Sequence, residues 1–186
     1  SPISKRKENK LMKKIAIIIN GKGGVGKDTL CDFISKHYNT RKVSSITPIL
    51  TIAKSGGWNG NKDDKSRKLL SDLKHLFTNY NDLSLTYLKS QTEEFLLTSD
   101  EILFIHMREP EEIVKYIKYA TEKQFTCKTL LIKRDTMEHK IYGNDADDMV
   151  DYYHYDAIYK NNLPLSEAEK DFITFFRNNL GGMTYE

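Results

Sequence analysis

Nine consecutive residues, Gly21-Lys22-Gly23-Gly24-Val25-Gly26-Lys27-Asp28-Thr29, have the types and spacing to hold a polyphosphate. Glycines take up left-handed backbone without a Cβ penalty, so such a loop can turn its N–H groups inward around phosphate oxygens. A helix beginning at Lys27 would aim its positive dipole end at the same oxygens. Lys27 is the residue that reaches the β- and γ-phosphates. The common form of this loop ends Gly-Lys-Ser/Thr and gives its hydroxyl to Mg²⁺; here Asp28 holds that place and Thr29 follows. A carboxylate is a good oxygen ligand for Mg²⁺, so Asp28 and Thr29 are the candidate metal residues. The cofactors expected from this loop are ATP and Mg²⁺.

Phosphoryl transfer also needs cations on the transferring group and on the acceptor. Arg108, just after a short apolar run, and Arg134, beside a polar stretch, are the candidates for the first task. For the acceptor, Trp58-Asn59-Gly60-Asn61-Lys62-Asp63-Asp64-Lys65-Ser66-Arg67 offers an aromatic to stack on a base. Lys62 and Arg67 offer cations to grip a monophosphate, and Arg108 is placed to help them. Asn144-Asp145-Ala146-Asp147-Asp148 looks like half of a calcium loop, but it lacks the glycine and the closing glutamate.

The elements that must position these residues follow from periodicity. Residues 13–20 form a continuous apolar run, suited to a strand buried on both faces. Residues 27–38 read as a helix, Val43–Ile46 as a strand, and 47–55 as a helix with Pro48 in its first turn. Leu69, Leu70, Leu73, Leu76 and Phe77 recur at helical spacing between Asp64 and about Asn79, and Leu83–Thr98 is a further helix. Ile102–Ile105 is a third strand and Glu109–Thr121 a helix opened by Pro110. Thr129–Ile132 is a fourth strand and Tyr155–Tyr159 a weak fifth. Ser166 with Glu169 reads as a capping box for a last helix that buries Phe172, Phe175 and Phe176. Alternating strands and helices predict an α/β, three-layer fold: a five-stranded parallel sheet in the order 2-3-1-4-5, with helices on both faces. Right-handed crossovers bring the loops after strands one, three and four to one edge, where such sheets bind ligands.

The chain of 186 residues suits one core. The expected division is a flexible basic leader or cloning remnant over 1–12, a single domain over 13–178 and a flexible tail over 179–186. Within the domain, an acceptor-binding helical region spans about 47–98 and a lid-like loop about 134–150. The net charge of +3 is uneven: residues 1–14 carry six Lys/Arg against one Glu, so the rest of the chain is slightly acidic. The basic segment reads as a solvated leader, and no nucleic-acid partner is expected. No apolar run approaches the roughly 20 residues needed to span a bilayer, and no membrane partner is expected. Cys31 and Cys127 lie far apart without metal-ligand spacing, which suits free thiols in a cytoplasmic protein. A monomer or homodimer is expected.

Three stretches resemble the P-loop nucleoside/nucleotide kinase group, which includes deoxynucleoside monophosphate kinases and the animal-type phosphomevalonate kinase. They are the Gly-Lys-Asp-Thr ending of the loop, Arg108-Glu109-Pro110-Glu111-Glu112, and the run from Arg134 through His139 to Tyr155–Asn161. The resemblance covers most of residues 13–177. It implies ATP-dependent transfer to a small phosphorylated acceptor, most simply a nucleoside monophosphate. One position departs from the group: its third strand usually ends in an Asp that helps hold Mg²⁺, and this chain has His106 there. That leaves Asp28 and another acid such as Glu109 to carry the metal, or a protein that binds nucleotide without catalysis. Lys22-Gly23-Gly24-Val25-Gly26-Lys27 also resembles the deviant loop of partitioning and division-site ATPases, in which the early lysine acts across a dimer.

Overall fold

A computed structural model describes residues 14–138 and 149–181. The basic leader 1–12, positions 139–148 of the lid-like loop with His139 and the Asp-rich run, and positions 182–186 of the tail lie outside the described residues.

Five parallel strands form one sheet in the order β2-β3-β1-β4-β5, as the alternation of elements predicted. The central strand β1 (Ile15–Asn20) is buried along its whole length. Its alternating side chains supply two cores. Ile15, Ile17 and Ile19 pack with helix α1 (Lys27–Ser35) and helix α6 (Leu165–Asn179), where Phe172 and Phe176 are fully buried. Ala16 and Ile18 face helix α4 (Leu83–Leu97) and helix α5 (Pro110–Glu122), through Leu88, Phe95, Ile113 and Tyr116. Helices α2 (Thr47–Ser55) and α3 (Asp64–Asn81) pack on each other and on α4, outside the second core.

Two strands are longer than their apolar content suggested. Strand β2 (Thr40–Ser44) begins three residues before Val43, because Thr40 and Arg41 pair with Ile102 and Leu103 of β3 (Ile102–His106). Strand β4 (Thr126–Lys133) begins at Thr126 and Cys127, which pair with Ile15 and Ala16. Strand β5 (Ala157–Lys160) closes the other edge.

One local expectation is corrected. The Ser166–Glu169 capping box does not form: α6 starts at Leu165, Pro164 is its cap without a side-chain bond, and Glu169 pairs with Lys36 at 2.9 Å. The leucine stripe of α3 forms the expected helix in an outer layer: Leu69 and Leu76 are 41% and 65% exposed, and the helix buries only Ser66 and Lys74. Its N-terminus is capped by the Asp63 carboxylate, which accepts from Ser66 N–H at 2.8 Å.

Candidate active site

Because all five strands are parallel, their carboxyl ends share one edge, and the glycine loop leaves β1 there. Gly21, Gly24 and Gly26 have φ of 148°, 87° and 94°. A Cβ on Gly21 would lie 2.5 Å from the Ile132 carbonyl oxygen of β4, so the loop hugs the sheet where no side chain fits. Gly26 caps α1, which opens with Lys27, Asp28 and Thr29. Lys27 Nζ donates to the Gly21 carbonyl and, at 3.2 Å, to the Lys22 carbonyl, so its ammonium lies across the loop. Asp28 and Thr29 are exposed in the first turn of α1.

The loop is anchored by two asparagines to which the sequence reading gave no role. Asn20, fully buried at the end of β1, accepts from Gly21 N–H at 2.8 Å and donates to the Arg108 carbonyl at 3.1 Å. It also donates to Tyr155 Oη at 2.8 Å, and Tyr155 in turn donates to the Val150 carbonyl at 2.7 Å. Burial pushes the Tyr155 phenol up to about 12, so it stays a neutral donor. The sequence signal was a polar residue ending a run of apolar ones. Asn161, just beyond β5, donates to the Val25 carbonyl at 2.9 Å, and its own N–H bonds the Lys133 carbonyl at 2.7 Å.

Gly26 is where this anchoring is tightest, since a Cβ there would lie 2.6 Å from Asn161 Nδ2. Gly26→Ala must therefore both hold a positive φ and displace Asn161. We expect it to destabilise the fold by about 2–4 kcal/mol, read by denaturant unfolding, because the backbone strain adds to the lost hydrogen bond.

Of the other sequence candidates, Arg108 follows β3 and Arg134 follows β4, so both reach the shared edge. Arg134 caps the short 3₁₀ turn Asp135–Met137 that leads towards positions 139–148. Lys22 Nζ donates to the Glu138 carbonyl at 2.9 Å, within the same chain. Trp58 and Lys62 lie on the α2–α3 connection and Arg67 in the first turn of α3. The Trp58 indole N–H donates to the Asn61 carbonyl at 3.0 Å, and Arg67 pairs with Asp64 at 3.3 Å.

His106 ends β3 with Nε2 3.6 Å from Asp28 Oδ1, too far to share a proton. That buried nitrogen has no hydrogen-bond partner among the described residues. Burial, with Lys27, Lys42 and Arg108 acting the same way and Asp28 opposing, pushes the imidazole down to about 4. It is therefore neutral near pH 7 and a poor Mg²⁺ ligand. A histidine depressed from 6.5 stabilises the fold fully above pH 6.5 and loses that contribution as pH falls towards 4. We expect a loss on the order of 3 kcal/mol across that window, absent from His106→Gln, measured as unfolding free energy against pH in the two proteins.

Glu109, the other acid considered for the metal, is already engaged. The Lys74 ammonium, from α3, lies 2.6 Å from Glu109 Oε2 and 3.0 Å from Glu112 Oε2, and donates to Ser45 Oγ at 3.0 Å. Ser45 N–H bonds the His106 carbonyl at 3.0 Å, which ties the cluster to the same edge. Lys74 is 7% exposed and was missed in the sequence. The available signal was a cation on the Leu70–Phe77 side of an amphipathic helix. Among the described residues no three His, Cys, Asp or Glu gather to hold a metal by themselves. Mg²⁺ is commonly held by one or two carboxylates together with substrate phosphates. The exposed Asp28 beside a phosphate cradle fits that arrangement.

No protein-family model matches the chain, and no curated protein matches it in sequence. Solved structures do match in fold. Shikimate kinase from Aquifex aeolicus vf5 is 16% identical, over 90% of this chain and 99% of its own, with a TM-score of 0.47. The Deinococcus radiodurans tunicamycin resistance protein is 10% identical, over 88% and 95%, with a TM-score of 0.51. The Mycobacterium tuberculosis APS kinase, solved with AMPPNP and APS, is 10% identical, over 89% and 98%, with a TM-score of 0.43. At such identities the likeness is one of fold. Among the described residues no helix is long and apolar enough to cross a membrane.

Proposed function

We propose that this chain transfers the γ-phosphoryl group of ATP to a small phosphorylated acceptor, a ribo- or deoxynucleoside monophosphate. The observation that carries the reading is the glycine loop. Three positive-φ glycines, a lysine lying across the loop carbonyls and a helix N-terminus converge at the carboxyl edge of a parallel sheet.

The loop amides and the N-terminus of α1 would hold the donor phosphates, and Lys27 would leave its carbonyl partners for the β- and γ-oxygens. Mg²⁺ bound with the donor would supply charge neutralisation, and Asp28 and Thr29 would hold it. Arg108 and Arg134 would stabilise charge on the transferring group. Trp58, Lys62 and Arg67, with Arg108, would receive the acceptor.

His106 favours one alternative, a nucleotide binder without catalysis, because no carboxylate stands at the end of β3. A coupled ADP-release assay separates the two. It uses Mg·ATP with a panel of ribo- and deoxynucleoside monophosphates, and phosphomevalonate as a non-nucleotide acceptor. Release that depends on one of the monophosphates supports the proposal, whereas release with phosphomevalonate alone keeps the kinase and replaces the acceptor. Stabilisation by ATP with no turnover on any acceptor would establish the binder.

A further inference from the structure

Arg108 sits in a three-residue link, Met107–Glu109, between the end of β3 and the start of α5. These residues belong to neither element, so side chains must do for their backbone what a ladder does within β3. One of them reaches in from the centre of the sheet. Asn20 is fully buried at the end of β1, and its amide is used at both ends. Oδ1 accepts from the N–H of Gly21, the first residue of the phosphate loop, at 2.8 Å. Nδ2 donates to the Arg108 carbonyl at 3.1 Å and to Tyr155 Oη at 2.8 Å. On either side of Arg108, Met107 is buried and the Glu109 carboxylate holds the Lys74 ammonium at 2.6 Å.

We propose that Asn20 is a positioning residue for phosphoryl transfer. It joins the loop that would hold the donor phosphates to the backbone of Arg108, and so sets where the guanidinium meets the transferring group. The inference rests on the phosphoryl-transfer reading above.

The chemistry of the side chain fits the task. A carboxamide is the one group of this size that offers an acceptor and two donors at once. An ionised aspartate would offer no donor, and a serine or threonine only one. An apolar residue at this strand end would leave Gly21 N–H and the Arg108 carbonyl to find separate partners, with nothing fixing the distance between them. Transfer is sensitive to that distance, because a misplacement of about 1 Å can cost about a hundredfold in rate. The third bond continues from Tyr155 Oη to the Val150 carbonyl at 2.7 Å. It steadies the amide from a side that is not part of the link between loop and Arg108.

The test is a double-mutant cycle on kcat and KM in acceptor-dependent ADP release, with the member of the acceptor panel above that the parent turns over fastest. Asn20→Ala is expected to lower kcat about 10- to 100-fold. In the Arg108→Ala background the same change should cost less than about twofold, because the group that Asn20 positions is gone. Should the alanine variant not fold, Asn20→Ser repeats the cycle, since it keeps a hydroxyl in the same space and removes the amide donor. Tyr155→Phe is the control for a lost buried hydrogen bond. It should lower the thermal midpoint yet keep kcat within about threefold of the parent, because the bonds to Gly21 and Arg108 remain. Three results would each make Asn20 a structural anchor only: losses that multiply in the double variant, a rise in the KM for ATP with kcat unchanged, or a kcat in Tyr155→Phe as low as in Asn20→Ala. Any of them overturns the inference and leaves the kinase reading standing. A parent that releases no ADP with any acceptor overturns both.

Discussion

Lys27→Ala is expected to lower kcat for acceptor-dependent ADP release by at least about a hundredfold, the usual consequence of removing one charge-stabilising donor from a transition state. The side chain lies over the loop and donates to the carbonyls of Gly21 and Lys22. Those carbonyls belong to a backbone fixed independently by Asn20 and Asn161. Alanine is also the best helix former, so the first turn of α1 tolerates it. The fold should therefore survive, with unfolding free energy within about 1 kcal/mol of the parent, as for most partly exposed substitutions. The division between kcat and KM decides the role. Equal losses in kcat and kcat/KM place the ammonium on charge that develops during transfer, while a rise in KM alone makes it a ground-state anchor. Lys27→Arg is expected to rescue poorly, because a planar guanidinium is not a substitute for a compact ammonium within a tight loop.

This loop was legible in the sequence because all its parts are local: nine adjacent residues between an apolar strand and an amphipathic helix. The sheet order was legible for a related reason, since every connection between strands is long enough for a helical crossover. What misled was polarity at strand and helix surfaces. Thr40, Arg41 and Lys42 belong to an edge strand whose pairing with β3 is backbone chemistry, invisible to an apolar pattern. The stripe of α3 correctly marked a helix, which forms an outer layer and leaves Leu76 and Tyr80 at 65% and 82% exposed. The cluster of Lys74 with Ser45 and Glu109 escaped for the opposite reason. Its members stand 29 and 35 residues apart in sequence and meet only once α3 is laid over the carboxyl edge of β2 and β3. Sequence spacing reports chemistry within an element and is silent about chemistry between elements.

That cluster carries the largest expected effect on stability. Lys74→Met keeps much of the side chain's volume but strands two carboxylates, one on Glu112 at 10% and one on Glu109 at 29% side-chain exposure. Removing one partner of a buried ion pair typically costs about 3–5 kcal/mol, because the remaining charge loses both water and its counter-ion. Glu109 is open enough for water to soften its share, so the burden falls on Glu112. Burial already pushes the Glu112 carboxyl up from its ordinary value, with the Lys74 ammonium opposing the rise and Glu109 adding to it. Taking Lys74 away removes the opposition and drives it further up. A carboxyl raised in the folded state favours folding at low pH and loses that contribution as pH rises through its folded pKa. The deficit of Lys74→Met relative to the parent should therefore be greatest at neutral pH and shrink on acidification towards pH 4, measured by urea unfolding at each pH. Adding Glu109→Gln and Glu112→Gln to the variant should recover much of the neutral-pH loss, since apolar or neutral groups in place of a complete buried ion cluster are often tolerated. A deficit independent of pH would instead mean that Lys74 acts through packing. A loss without recovery in the triple variant would point to its bond to Ser45, through which α3 is tied to the residue that pairs with the end of β3.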